Sequence, residues 1–316
     1  MKIAIIGASS FIGKNLVKHL SKKNWQIMGV VRNQELHKDL LSKNNNVTLL
    51  ECDMKDYADL GNLIGHVDCA VYLTWNGTRG DARADFIRQK ENYEQSMIAI
   101  KSIVNAGCKK ILTAGSQAEY GSWFSDKKLT EMDEENPNTE YGKFKLQFYK
   151  DAKKYCDEHC VTIIEPRFFS LYGLGDFEGT MIVSMLKKML KNEPCDLTEC
   201  KQMWDFLYID DAISGLIKLI EDKKAYGVYN FGSGESFQLK HYIEVMYEIT
   251  KSKSKLNYGD VPYPVTGMVN IDPCVDKLKS IGWKPKTSFE EGIKVMIKNV
   301  RNNSTIMPPH YTNGMD

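Results

Sequence analysis

The chain has 316 residues, of which 42% are hydrophobic, and its 42 basic and 41 acidic residues leave a formal net charge of +1 at pH 7. This length allows one large domain or two small ones with an ample core, and the balanced charge gives no sign of a nucleic-acid-binding surface. No apolar run approaches the ~20 residues of a membrane-spanning helix, and the N-terminus lacks a signal-peptide pattern. We therefore expect a cytoplasmic protein with neither a nucleic-acid nor a membrane partner.

The first predicted element is a buried strand, Lys2–Ile6. A turn of small residues, 7–13, follows it and leads into a helical pattern. Gly7 allows a tight turn, the helix N-terminus offers free N–H groups and a positive dipole to a pyrophosphate, and Gly13 would let helix and strand pack closely. This order predicts a dinucleotide site, although an ordinary turn is the alternative because Ser10 replaces the usual middle glycine.

Strands and helices alternate through the rest of the first half, which indicates a parallel doubly wound sheet. Further strands are predicted over residues 26–31, 47–51, 69–73, 110–113 and 162–165. Helices are predicted between them, notably over residues 92–105 and 140–158. After residue 170 the pattern changes: a helix is predicted over 181–190, and Pro and Gly punctuate the region beyond 232. The tail, residues 302–316, has no periodicity and is predicted to be a surface extension or partner arm.

The end of the second strand bears on the choice of cofactor. An acid there would bind the ribose diol of NAD, whereas a nearby arginine accommodates the extra phosphate of NADP. The strand ends in Val31 and is followed by Arg32, with no acid. The sequence therefore favours NADP(H) over NAD(H), unless Arg32 only stacks on the adenine or faces solvent.

Tyr141 and Lys145 are four residues apart in a predicted helix, so their side chains share one face. A phenol ionises near pH ~10, and a cation beside it favours the phenolate and lowers that pKa. Such a pair suits the interconversion of an alcohol and a ketone beside a nicotinamide. The spacing is weak by itself, because many solvated helix faces carry it.

The eight cysteines form no Cys-x-x-Cys pair, which fits reduced thiols in the cytoplasm. Cys156, His159 and Cys160 would lie on one helical turn, but no distant motif completes the four ligands of a metal site. We therefore predict no bound metal.

Four motifs in order resemble the extended branch of the short-chain dehydrogenases/reductases, which contains nucleotide-sugar epimerases, dehydratases and reductases. Residues 7–13 resemble its Gly-x-x-Gly-x-x-Gly loop, and residues 111–121 resemble the strand that ends in a catalytic Ser or Thr, ahead of the Tyr-x-x-x-Lys pair. Residues 166–173 resemble its Arg-Tyr-x-Asn-x-Tyr-Gly-Pro motif, and residues 204–211 resemble Arg-Asp-Phe-x-x-Val-x-Asp. The resemblance covers nearly the whole chain.

The resemblance implies an α/β fold, a Rossmann-type doubly wound parallel sheet with a smaller C-terminal α/β substrate lobe. Residues 1–170 would form the NAD(P)-binding domain, to which 204–231 return, while 171–203 and 232–316 would form the lobe. It also implies a homodimer, because the helices over 92–105 and 140–158 match a four-helix interface of the family. The apolar residues that suggest an interface, although packing on the sheet alone would also explain them, are Met97, Ile98, Ile100, Ile103 and Val104.

The resemblance further implies roles for individual residues. The catalytic residues would be Ser116, Tyr141 and Lys145. The cofactor would contact Gly7, Ser9, Ser10, Phe11, Ile12, Gly13, Arg32, Asp53, Met54, Leu73, Thr74, Trp75, Asn92, Tyr141, Lys145 and Phe168. The substrate would contact Thr74, Trp75, Arg79, Arg83, Gln117, Ser170 and Trp204.

Trp204 stands where many relatives carry an arginine for the substrate pyrophosphate. A tryptophan cannot pair with phosphate, although it can stack on a base or sugar. The compensating cation would be Arg79, Arg83 or Arg88, in or just after a loop expected at the carboxyl edge of the sheet, where ligands bind. A solvated loop is the alternative.

The reaction is less determined than the family. Dehydratases of the family carry an Asp-Glu pair directly after the catalytic Thr, whereas Ser116 is followed by Gln117 and Ala118, with Glu119 one residue late. The NADP preference and the resemblance of residues 115–121 to 4-keto sugar reductases favour NADPH-dependent reduction of a nucleotide-linked 4-keto (6-deoxy)hexose, for cell-surface polysaccharide. The alternatives are an NAD-dependent 4-epimerase or 4-dehydrogenase, then a 4,6-dehydratase or a non-catalytic nucleotide-binding regulator.

Overall fold

The structure is a computed structural model that describes residues 1–40, 45–123, 127–263 and 268–303. The strands are β1 (Lys2–Ile6), β2 (Gln26–Val31), β3 (Val47–Glu51), β4 (Cys69–Tyr72), β5 (Lys110–Thr113), β6 (Gly115–Ser116), β7 (Thr162–Phe168), β8 (Ser170–Tyr172), β9 (Cys195–Leu197), β10 (Met203–Trp204), β11 (Phe206–Tyr208), β12 (Gly227–Phe231), β13 (Phe237–Gln238) and β14 (Leu256–Tyr258). The helices are α1 (Phe11–Leu20), α2 (Leu60–Ile64), α3 (Phe86–Asn105), α4 (Glu140–Glu158), α5 (Met181–Lys191), α6 (Ile209–Glu221), α7 (Leu239–Thr250), α8 (Asp276–Ser280) and α9 (Phe289–Asn303).

The main sheet has the strand order β12-β7-β5-β4-β1-β2-β3, with β6 added beside β7. All of these pairings are parallel. The chain order reverses between β1 and β4, which places a topological switch point at their carboxyl ends, where α/β sheets bind ligands. The predicted doubly wound parallel fold is confirmed.

Both faces of this sheet are covered, because successive side chains of a strand point to opposite faces. On β1, Ile3 and Ile5 join a core cluster that extends through α1 into the C-terminal part of the chain. Ala4 and Ile6 join a second cluster that contains residues of α2, α3 and α4. Two-sided burial explains why the strand sequences are almost continuously apolar.

Several elements differ in extent from the sequence prediction. Strand β7 continues to Phe168 rather than ending at residue 165, because β6 and β12 both pair with its second half. Helix α3 begins at Phe86 rather than residue 92, since the Asp85 side chain caps it by accepting a hydrogen bond from the Arg88 backbone N–H. Strand β4 also ends one residue early, at Tyr72.

Most of the apolar residues of α3 that suggested a dimer interface belong to the subunit core. Ile100, Ile103 and Val104 are buried against the sheet. Met97 is half-buried, and Ile98 is exposed to 38%. Sheet packing therefore accounts for three of the five residues, and the dimer stays a prediction.

The C-terminal part of the chain contributes to the main sheet and also forms smaller two-stranded sheets. Within residues 204–231, β12 joins the main sheet and α6 packs on α1, whereas β11 pairs with β8 and β10 with β13. The assignment of the remainder as a substrate lobe stays a prediction. The predicted tail begins two residues too early, because α9 continues to Asn303, and residues 304–316 lie outside the described residues. In the part of the chain that the structure describes, no helix is both long and apolar enough to cross a membrane.

Candidate active site

The turn between β1 and α1 leaves a helix N-terminus open to an anion. Gly7 has a φ of +87°, which favours glycine, and a Cβ at Gly13 would lie 2.3 Å from the Gly7 carbonyl oxygen. Ser10 caps α1, its Oγ accepting a hydrogen bond from the Gly13 N–H at 3.1 Å. The serine in the middle position therefore supports the turn, and the bare backbone fits a dinucleotide pyrophosphate.

A cavity of about 230 Å³ lies beside this turn, at the carboxyl ends of β1, β2 and β4. The predicted cofactor residues that line it are Gly7, Ser9, Ser10, Arg32, Met54, Leu73, Thr74 and Trp75. Sequence reasoning missed Val30, Val31, Cys52, Tyr57 and Asn76. The Tyr57 hydroxyl donates a hydrogen bond to Thr74 Oγ1 at 3.1 Å. Thr74 is therefore held at the cavity by a residue that belongs to no recognisable sequence motif. We refer to this space as the adenosine cavity.

A larger cavity of about 620 Å³ adjoins it and shares Leu73 and Trp75 with it. The predicted residues that line this catalytic cavity are Phe11, Ile12, Leu73, Trp75, Arg79, Arg83, Ser116, Tyr141, Lys145, Phe168, Ser170 and Trp204. Residues missed from sequence are Thr78, Ala114, Gly115, Phe169, Leu171, Asp176, Thr180, Met181, Ile182, Phe206 and Leu239. The three predicted catalytic residues thus share one space.

Tyr141 lies in the first turn of α4, close to the Ser116 segment. Thr139 caps this helix by accepting a hydrogen bond from the Gly142 N–H at 3.1 Å. A Cβ at Gly142 would lie 2.3 Å from the Ala118 carbonyl oxygen, so only glycine allows this approach. The phenol of Tyr141 then hydrogen-bonds the Ser116 hydroxyl.

Burial, a hydrogen bond and nearby charges all act on the pKa of Tyr141. Burial raises the pKa of Tyr141, while the hydrogen bond to Ser116 and the positive charge of Arg83 lower it. The expected cation, Lys145, donates instead to the Ala114 carbonyl oxygen at 2.8 Å and lies 4.1 Å from the Trp75 ring centroid. Arg83 is therefore the cation that acts most on the pKa of Tyr141 in this structure, and the effect expected of Lys145 stays a prediction.

Lys145 itself is almost fully enclosed. Burial lowers the pKa of its ammonium to about 8, although the carboxylates of Glu119 and Glu165 raise it. The side chain thus remains mainly protonated at neutral pH, with its charge directed at a carbonyl oxygen and an indole face.

Glu119 supports Ser116 from inside the protein. Its side chain is fully buried. One carboxylate oxygen accepts from the Ser116 N–H at 2.7 Å, and the other accepts from Arg167 Nε at 3.0 Å. Because both oxygens are engaged away from the cavity, Glu119 is not placed to act as the acid or base of a dehydratase.

Arg167, on β7, is the centre of a buried charge cluster. Besides Glu119, it donates to Glu165 at 2.9 Å and to Glu135 at 2.5 Å. Burial and the charge of Glu119 raise the pKa of Glu165 well above its usual range, and burial also raises the pKa of Glu119. A Cβ at Gly115 would lie 2.6 Å from Glu165 Cγ, which explains the glycine beside Ser116.

Four predicted contact residues line neither cavity as the described residues form them. Asn92 instead clamps Asn76, accepting from its N–H at 2.9 Å and donating to its carbonyl at 2.8 Å. Asp53 caps the short helical turn Met54–Asp59. The others are Gly13, which packs under the turn, and Gln117, in the turn after β6.

The arginines predicted to bind the substrate occupy different places. Arg79 approaches Asp176 at 3.4 Å, and its guanidinium lies 4.8 Å from the Phe177 ring centroid. Arg88 pairs with Asp85 at 3.5 Å on α3, away from both cavities. Arg83 lies over Tyr141, its guanidinium carbon 4.8 Å from the ring centroid.

The eight cysteines are free thiols, and within the described ranges no group of His, Cys, Asp and Glu is arranged to hold a metal ion. Cys156 is buried and Cys160 is exposed, so the two do not face a common site.

The sequence model of the NAD dependent epimerase/dehydratase family matches residues 3–232. The chain belongs to this family. A family relative, the CDP-abequose synthase of Salmonella muenchen, is 35% identical over 156 residues, which are 48% of this chain and 53% of that protein. The dTDP-4-dehydro-6-deoxyglucose reductase of Escherichia coli is 26% identical over 216 residues, 67% of each chain.

Solved structures share the fold over most of the chain. The UDP-glucose 4-epimerase of Thermotoga maritima, solved with UDP-glucose, superposes with a TM-score of 0.86 at 20% identity and covers 96% of this chain and 100% of its own. Family membership and fold therefore agree with the resemblance read from the sequence motifs. At this identity the likeness carries the fold alone.

Proposed function

We propose that this protein uses NADPH to reduce the 4-keto group of a nucleotide-linked 6-deoxyhexose, in the biosynthesis of a cell-surface polysaccharide. The observation that carries this proposal is the meeting of Ser116, Tyr141 and Lys145 in one cavity that adjoins a second cavity lined by Arg32. The names of the two curated relatives, a CDP-abequose synthase and a 4-dehydro-6-deoxyglucose reductase, point to the same class of substrate.

The adenosine cavity fits NADP(H). Arg32 follows the last residue of β2 and lines the cavity together with Ser9 and Ser10, and no acid ends that strand. A guanidinium binds a phosphate monoester with two parallel hydrogen bonds, which a ribose diol does not offer. The cofactor, when bound, supplies a hydride to the carbonyl carbon in the adjoining cavity.

The residues of the catalytic cavity supply the proton. Burial raises the pKa of Tyr141, so at neutral pH the phenol is protonated, which is the form that a reductase needs. Tyr141 donates this proton to the carbonyl oxygen, and Ser116 hydrogen-bonds the same oxygen. The carbonyl thus gains one hydride and one proton, and solvent returns one proton to the tyrosine. Lys145 would hold the nicotinamide ribose from the floor of the cavity.

Dehydration is disfavoured by the same geometry. Gln117 and Ala118 replace the acid pair of the dehydratases, and Glu119 is held by Ser116 and Arg167. An NAD-dependent 4-epimerase or 4-dehydrogenase is the second candidate, because the three catalytic residues serve those reactions equally well.

The test supplies 4-keto-6-deoxy sugars linked to CDP, dTDP, GDP and UDP and follows the absorbance of the reduced nicotinamide. We expect one NADPH to be oxidised per sugar with at least one of them. Tyr155→Phe is a matched control on the same helix, since within the described part of the chain its hydroxyl hydrogen-bonds only Asn105, at 3.4 Å. This variant should keep the activity that Tyr141→Phe loses. If no keto sugar consumes NADPH while a 4-hydroxy nucleotide sugar is inverted or oxidised with NAD, the second candidate is correct.

A further inference from the structure

Arg83 reaches the reacting end of the catalytic cavity. It lies in the short helical turn Gly80–Ala84, after β4, and lines the cavity beside Tyr141. Its guanidinium carbon is 4.8 Å from the Tyr141 ring centroid, the distance of a cation–π contact. Arg83 thus lies at Tyr141, the proposed proton donor, whereas the sequence suggested that Arg83 binds the substrate pyrophosphate.

Among the described residues the guanidinium of Arg83 has no hydrogen-bond or ion-pair partner; its Nε–H is shielded from solvent, which leaves its terminal N–H groups accessible. The other two cations that line this cavity are already engaged: Lys145 donates to the Ala114 carbonyl, and Arg79 approaches Asp176. The terminal N–H groups of a guanidinium are strong donors that a ligand oxygen in the cavity can satisfy. Arg83 is therefore the cation of this cavity that is left to bind a ligand oxygen beside Tyr141.

We propose that Arg83 is a catalytic residue whose terminal N–H groups bind a sugar oxygen at or next to the reacting carbon, while its guanidinium lies over the ring of Tyr141. This inference rests on the proposed function, in which that carbon is a carbonyl reduced beside Tyr141. It assigns the substrate phosphates to other groups of the site.

The charge of Arg83 has two effects on the reaction. It stabilises the negative charge that develops on the carbonyl oxygen as the hydride arrives, as an oxyanion-hole donor does. It also lowers the pKa of Tyr141, against burial and against the carboxyls of Glu119 and Glu165, which raise it. Lys145, from the same helix as Tyr141, directs its charge elsewhere.

The test compares Arg83→Gln and Arg83→Lys with Arg79→Gln, a matched control in the same loop. Turnover is measured as NADPH oxidation, the reverse oxidation of the alcohol is measured across pH, and binding of CDP, dTDP, GDP and UDP alone is measured by calorimetry. Arg83→Gln should lower kcat by about 10²-fold, as removal of one oxyanion-hole donor does, and leave nucleoside diphosphate affinity unchanged.

The pH dependence distinguishes a role at Tyr141 from one at the phosphates. In the reverse reaction Tyr141 must be ionised, so loss of the Arg83 charge should move the rise in rate to higher pH. Arg83→Lys keeps the charge and should restore this rise, with kcat still reduced because the planar donor is lost. Arg79→Gln should raise KM without moving the pH profile.

The inference is overturned if Arg83→Gln weakens nucleoside diphosphate binding as much as it lowers activity and leaves the pH profile of the reverse reaction unchanged. If Arg83→Gln fails to fold by circular dichroism, wild-type kcat in Arg83→Lys overturns it. If the wild-type protein reduces no keto sugar, the proposed function fails, and this failure is distinct from that of the Arg83 inference. The same variants are then compared in the epimerisation or oxidation that the wild-type protein performs. The calorimetric comparison of nucleoside diphosphate binding needs no turnover.

Discussion

Replacing Glu119 tests whether this residue holds Ser116 in place or acts as an acid or base, because both of its carboxylate oxygens have identified partners. In Glu119→Leu the Ser116 N–H loses its acceptor, which costs about 1–3 kcal/mol for a buried donor, and Arg167 loses one charge-assisted hydrogen bond, worth about 1.5–3 kcal/mol. The full loss of a buried ion pair does not apply, because Glu165 and Glu135 still bind Arg167. We expect the leucine variant to lose about 3–5 kcal/mol of the free energy of unfolding.

Glu119→Gln should be milder. Its amide oxygen can still accept from the Ser116 N–H, so only the bond to Arg167 is weakened, at about 1.5–3 kcal/mol. The negative charge that raises the pKa of Glu165 is also removed, so Glu165 can ionise more readily and pair with Arg167. Ser116 then stays in place, and kcat should remain within a few-fold of wild type, whereas the leucine variant should fall towards ~10²-fold because Ser116 is no longer held.

The assays are urea denaturation for stability and NADPH oxidation for kcat. Glu135→Gln is the matched control, since it removes another carboxylate from Arg167 without touching Ser116. A leucine variant with wild-type stability would refute the buried-contact reasoning. A glutamine variant that is stable but inactive would show that Glu119 transfers a proton, and would restore the dehydratase interpretation.

Three further outcomes are expected. Tyr141→Phe should lower turnover by ~10²–10⁴-fold and leave NADPH affinity near normal by fluorescence titration; near-wild-type turnover would remove Tyr141 from the mechanism. Arg32→Ala should weaken NADPH by about 1.5–3 kcal/mol and NADH hardly at all, since only NADPH carries the phosphate; equal losses, or a wild-type preference for NADH, would contradict the reasoning from the strand end. Light scattering at micromolar concentration should give the mass of a homodimer, and a monomer mass would reject the dimer. Of the five α3 residues first considered, only Met97 and Ile98 remain available for contact with a second subunit.

Local sequence predicts the fold and the residues of the candidate active site. Buried parallel strands appear as apolar runs because both sheet faces are covered, as at Lys2–Ile6. The turn after β1 is recognisable because Gly7 and Gly13 are needed for its backbone path. Tyr141 and Lys145 share a helix face by spacing alone, and the structure places both in one cavity.

What each charged group does was decided only by the tertiary structure. Lys145 donates a hydrogen bond to the Ala114 carbonyl, and Arg83, from the loop after β4, lies over the ring of Tyr141. Glu119 contacts Arg167 because β6 pairs with β7. These contacts join residues far apart in the chain, and no local spacing encodes them. The sequence by itself thus determined the sheet, the dinucleotide turn and the candidate catalytic residues, whereas long-range packing determined which cation faces the tyrosine, since electrostatic interactions depend on distances that only the folded chain establishes.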